Sequence, residues 1–225
     1  MIRRDYILRM IEQFLQVLSK IKALKKGELW QPAAAALDEE FQKLAGKNAE
    51  AVARLGETEL LALLIRGEPT QAIHTKTFML VALLKQAGDV AAAQERFEES
   101  RNCYLKGLHL LMKALDPAEV NEIPEFVPKV EEFKSALGSE LLPLSTQARL
   151  MQHYERIGDF GKAEDALFEM IEGEPENRAI LDLGALFYER LLGQNDASLN
   201  AGNLPRLEIE NGLAEIRERK RAVSA

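Results

Sequence analysis

The chain is 225 residues long, with 47% apolar and 29% charged residues, a balance that supports a sizeable core and excludes a disordered chain. Its 36 acids outnumber 29 bases for a net charge of −7, which argues against a general nucleic-acid binder, because phosphates select an excess of Lys and Arg. The single cysteine, Cys103, excludes an intramolecular disulfide and a thiolate metal cage, and it fits a reducing, cytoplasmic compartment.

The first element predicted is a long helix. Ile7, Met10, Ile11, Phe14, Leu15, Leu18, Ile21 and Leu24 recur at three- and four-residue spacing and define one apolar face. Asp5 is its expected N-cap, and Gly27 its expected left-handed end. Arg3 and Arg4 do not open a signal peptide, since Glu12, Lys20 and Lys22 interrupt any apolar run behind them. A second helix has Pro32 in its first turn and closes at Gly46. Two shorter pieces follow near 49–55 and 58–65, before a break at 67–69. Helices are then expected over 71–94 and 97–115.

Between Asp116 and Pro143 the texture changes. Pro117, Pro124, Pro128 and Pro143 leave room for one helix, 127–137, with Val130, Phe133 and Leu137 facing inward. The expected organisation is therefore an N-terminal half, 1–115, a proline-containing joint, 116–143, and a C-terminal half, 144–225. The last part holds helices near 145–157, 160–172 and 177–192, a Gly/Asn-rich loop over 193–202, and a final helix over 205–220. Its basic end, Arg217, Arg219, Lys220 and Arg221, suits the negative pole of a helix dipole. No run alternates β-branched residues, so no sheet is predicted. The longest apolar runs, 60–65 and 78–84, are far short of the ~20 residues that span a bilayer, so no integral membrane association is expected.

A unit over 144–177 carries Leu150, Tyr154, the turn Gly158-Asp159-Phe160, Ala163, Leu167 and Pro175. Gly158 permits a tight turn, Ala163 lets two helices approach, and Tyr154 and Leu167 fill the space between them. This pattern resembles the tetratricopeptide repeat (TPR), although Met151 and Met170 stand where small residues are usual. A weaker unit lies over 81–114, with Leu84, Gly88, Phe97, Ser100, Tyr104 and Gly107. There small Gly88, Ser100 and Gly107 sit where helices would touch, and the turn Glu95-Arg96-Phe97 lacks its glycine. Leu183-Gly184 and Phe187 continue the first unit as a fragment of a third, and the N-terminal hairpin fits the pattern poorly. The opening Met1-Ile2-Arg3-Arg4-Asp5-Tyr6-Ile7 and the segment from His153 to Phe168 also resemble an uncharacterised bacterial family of similar length. These resemblances imply an all-α fold of antiparallel helical hairpins, a TPR-like right-handed α-α superhelix, with no known activity.

The residues show no pattern for catalysis, so no enzyme, cofactor or metal is expected. His74, His109 and His153 are scattered and none has a Glu three residues before it, which rules out the Glu-x-x-His pair of helical di-iron sites. Cys103 and His109, six apart on one helix, point in different directions. Ala45-Gly46-Lys47-Asn48 lacks the upstream glycine and the hydroxyl of a phosphate-binding loop.

What remains is binding. Projected on the repeat, the concave, partner-facing side chains are Lys85, Asp89, Arg149, Gln152 and Arg156, and the expected partner is a protein or peptide. Asp89 and Ala148 stand where an asparagine set for gripping a C-terminal carboxylate would be, so that set is incomplete. Two alternatives rest on the first helix: a homodimer through its stripe, which Val17 widens, and membrane-surface attachment through Arg3, Arg4, Lys20, Lys22, Lys25 and Lys26 with Trp30 beyond.

Overall fold

The computed structural model describes residues 2–65, 70–115, 123–138 and 141–224. Among these residues all regular structure is α-helical, apart from turns. The helices are α1 (Ile2–Lys26), α2 (Trp30–Ala45), α3 (Ala49–Arg54), α4 (Glu57–Ile65), α5 (Thr70–Ala93), α6 (Phe97–Ala114), α7 (Val130–Leu137), α8 (Leu144–Ile157), α9 (Phe160–Gly173), α10 (Arg178–Leu192), α11 (Asp196–Ala201) and α12 (Arg206–Ser224). They form two compact units, Met1–Glu140 and Leu141–Ala225. The break expected at 67–69, residues 116–122 of the joint with Pro117, and the Arg3 and Arg4 side chains lie outside the described part.

In the first unit α5 is the central helix. Residues 77–84 are buried on every side, because α1, α2 and α4 pack on it and α6 returns along it as the second arm of a hairpin. A helix apolar all round belongs in a core. The run once measured against a bilayer therefore meets other helices instead. The one hydroxyl within it, Thr77 Oγ1, donates to Ile73 O at 2.9 Å and so enters the core satisfied. The α1 stripe is largely consumed here too: Ile7, Phe14, Leu18 and Ile21 are buried, while Leu15 stays exposed. Phe14 meets Phe126, ring centroids 5.1 Å apart.

Small residues set the helix spacing. Gly88 on α5 faces Tyr104 on α6 so closely that a Cβ there would lie 2.3 Å from the ring. Gly107 on α6 receives Phe133 from α7 in the same way, at 2.5 Å. Gly88 and Gly107 thus sit at helix contacts, as their spacing suggests, and Ser100 is buried. Phe133 docks on α6, and α7 lies within the first compact unit.

The second unit pairs α8 with α9 and α10 with α12, with α9 against α10. Leu150, Tyr154, Ala163 and Leu167 are all buried, as the pattern requires. Tyr188 of α10 is seated on Gly212 of α12, where a Cβ would stand 2.4 Å from the ring.

Four turns share one geometry. Glu28, Glu95, Gly158 and Asn203 take positive φ of 57°, 60°, 81° and 58°. In each, the next residue's N–H reaches back five residues: Leu29 to Leu24 O, Arg96 to Ala91 O, Asp159 to Tyr154 O and Leu204 to Leu199 O, at 2.9–3.0 Å. This is the Schellman closure of a helix end. The missing glycine at Glu95 does not change the turn, since α5 and α6, packed along each other, fix it. Glu95→Gly should therefore stabilise the chain by about 1 kcal/mol, the cost of a side chain in the left-handed region. Urea unfolding of the variant checks it, with an unchanged midpoint counting against strain at this turn.

Three details differ from expectation. Asp5 lies in the first turn of α1 rather than at its cap, because Ile2-Arg3-Arg4 contains no breaker and the helix begins earlier. Gly27 stays right-handed and passes the left-handed position to Glu28. The stretch 193–202 holds the short helix α11, nucleated by Asn195, whose side-chain oxygen accepts from Ser198 N at 2.9 Å.

Candidate functional site

The second unit has a groove of about 780 Å³ between the C-terminal ends of α8 and α10. Its floor is apolar, from Met151, Phe160, Leu183 and Leu191, and its rim is polar, from Gln152, Arg156 and Gln194. Gln152 and Arg156 are exposed, one helical turn apart on α8, and Arg149 lies half-buried a turn before them on the same face. An ion pair crosses the groove's edge. Glu155 of α8 accepts from Arg190 Nε and Nη2 of α10, both at 2.7 Å, a bidentate fork that fixes the distance between the two helices. This hydrogen bonding holds the Arg190 guanidinium above its ordinary pKa. Glu155 and Arg190 could not be singled out beforehand, because they are 35 residues apart.

Lys85 and Asp89 belong to the first unit, where they enter an internal cluster. Asp89 sits among three helices: Lys25 of α1 binds Oδ2 at 2.6 Å, Lys85 of α5 binds Oδ1 at 2.6 Å, and Tyr104 of α6 donates its hydroxyl to Oδ1 at 2.8 Å. Lys25 also reaches Gln86 Oε1 at 2.7 Å, and the Lys85 ammonium lies 5.2 Å from the Tyr104 ring centroid. Burial pulls the Asp89 carboxyl up, but the hydrogen bonds from Lys25 and Lys85 outweigh it and hold it below its ordinary value. For Lys25, burial wins over the attraction of Asp89 and lowers the ammonium. Only the i, i+4 spacing of Lys85 and Asp89 could have announced this cluster. Lys25 and Tyr104 carry no such signal.

A second tyrosine–carboxylate contact lies in the other unit, where Tyr188 of α10 donates to Glu164 Oε1 of α9 at 2.7 Å. Burial raises the Glu164 carboxyl, and the Tyr188 hydrogen bond only partly offsets it. Cys103 is fully buried, which pushes its thiol up to about 12 and leaves no thiolate for nucleophilic work near neutrality. Among the described residues no group of three His, Cys, Asp or Glu is placed to hold a metal ion, and no helix is long and apolar enough to cross a membrane.

Among the described residues these features define an all-helical protein of two compact units, with an open, polar-rimmed groove in the second. The chain belongs to a family of unknown function (DUF6483), whose model matches residues 1–221. No curated protein and no solved structure matches it.

Proposed function

We propose that this protein is a non-catalytic interaction scaffold of TPR-like architecture, and that the α8–α10 groove binds an extended or helical segment of a partner protein. The observation that carries the reading is the groove itself: an apolar floor between two helices, a polar rim of Gln152 and Arg156, and a bidentate Glu155–Arg190 brace. Surfaces of this kind take peptides, the apolar floor supplying affinity and the rim orientation. The TPR-like reading is supported by the turn at Gly158, by the fully buried Ala163 on α9, and by an aromatic two residues after the left-handed position in three hairpins: Trp30, Phe97 and Phe160. The N-terminal hairpin, a poor match in its residue pattern, makes the same turn.

Of the five residues projected onto a concave surface, Gln152 and Arg156 line this groove, Arg149 flanks it, and Lys85 and Asp89 hold the first unit together. The test is capture of partners from a lysate of the native organism on immobilised protein. Arg149→Glu/Gln152→Glu/Arg156→Glu should keep its helical circular dichroism and lose the captured partner, with affinity reduced by roughly tenfold or more, about 1.4 kcal/mol or more. A partner retained equally by the folded variant removes the groove from consideration.

A further inference from the structure

The three aromatic residues that follow the left-handed turns differ in one respect. Phe160 is buried at 8% exposure, because Gly202 of the α11–α12 turn lies on its ring and Gly161 N donates to Gly202 O at 2.9 Å. Trp30 is half-buried. Phe97 is 69% exposed. An isolated exposed apolar side chain needs no explanation, but the counterpart of this one, Phe160, is covered within its own unit, and Phe97 opens on a pocket of about 480 Å³.

That pocket is built from the start of α6 and the side of α3, and its charge identifies its occupant. Glu50 is paired with Arg54 at 2.6 Å, and Glu99 is paired with Arg96. Glu95 and Glu98, both exposed, are the acids left over, so the rim carries a net charge of −2 around an exposed phenyl ring. We propose that this face is a second docking site, distinct from the α8–α10 groove, for a partner segment with an apolar side chain flanked by Lys or Arg. The apolar side chain stacks on Phe97, and the flanking cations meet Glu95 and Glu98. Aromatic anchors rimmed by complementary charge are where binding energy concentrates. Glu98 stands where the second unit has Gly161, so a tight glycine turn like that at Gly202 does not fit here, whereas a longer basic side chain does. A second copy of this chain is a poor occupant, since at a net charge of −7 it is repelled by an acidic rim. Nucleic acid is repelled more strongly.

The experiment selects a random phage-displayed peptide library on the immobilised full chain and measures winning peptides by fluorescence anisotropy. Winners are expected to carry Lys or Arg beside an apolar residue and to bind Phe97→Ser roughly tenfold more weakly. Glu95→Lys/Glu98→Lys should weaken them similarly and give a separate readout if Phe97→Ser loses helix. Arg149→Glu/Arg156→Glu should leave them unaffected, which separates this site from the groove. An unenriched library, neutral or acidic winners, or winners held equally by Phe97→Ser each overturn the proposal. So does a concentration-dependent dimer that Phe97→Ser abolishes, because the face then serves self-association.

Discussion

Gly88→Val should destabilise the protein by about 3 kcal/mol, the upper range for forcing extra carbon into a packed core. In an exposed helix, replacing glycine with alanine gains about 1 kcal/mol of backbone propensity, so removing this glycine would ordinarily help. Here the added Cβ would stand 2.3 Å from the Tyr104 ring. The ring cannot swing aside cheaply, because its hydroxyl is bonded to Asp89 at 2.8 Å and Lys85 lies over its face. Equilibrium urea unfolding measures the loss. The decisive control is Gly88→Ala in a Tyr104→Ala background, where the clash is gone and the propensity gain should reappear. If Gly88→Ala costs the same with and without the ring, the close approach is not what selects glycine there.

Asp89→Asn should cost about 2 kcal/mol near neutral pH. The change keeps the shape but replaces one of the two acceptor oxygens with an amide NH2 that cannot accept from the donors around it, and it leaves Lys25 and Lys85 half-buried without a counter-charge. Breaking a fully buried pair costs about 3–5 kcal/mol, and the quarter of the Asp89 side chain that solvent reaches reduces that. The pH dependence has a definite sign. The Asp89 carboxyl is held below its ordinary value of 3.8 in the folded chain, so its contribution is complete above that value and is lost as pH falls through the lower, folded one. The stability gap between wild type and Asp89→Asn should thus be constant from pH 7 to about 5 and close in acid. A gap unchanged down to pH 3 would mean that charge is not the source. Lys25→Met should recover part of the loss in the Asn variant, since it removes one of the two stranded ammonium groups.

Much of the fold was legible in the residues because helices write their own periodicity. The α1 stripe, the turn at Gly158 and the small residues Gly88, Ser100 and Gly107 are local signals, and each has a local physical cause: a 3.6-residue repeat, a positive φ, a need for space. The proline spacing located α7, although α7 starts at Val130, two residues beyond Pro128, where the ring no longer obstructs it. Gln152 and Arg156, projected from the repeat pattern, line the α8–α10 groove.

The remainder depended on tertiary structure. Lys85 and Asp89 read as partner-facing residues of a concave surface, and nothing near them in sequence announces Lys25, 64 residues away from Asp89, or Tyr104, 15 residues away. Once α1 and α6 are packed on α5, the pair becomes an internal ion cluster. Glu28 and Glu95 took left-handed backbone without glycine because the packing of the two helices each turn joins, α1 with α2 and α5 with α6, outweighs about 1 kcal/mol of local strain. Phe160 and Phe97 occupy the same place in their hairpins, and only the position of Gly202 makes one core and the other surface. Sequence by itself determined the long helices and which of their faces are apolar, since both are set within a few residues, but it did not show the short α11 within 193–202. Which polar groups meet, and which aromatic is left uncovered, was decided by helix packing, because those contacts join residues that the chain holds far apart.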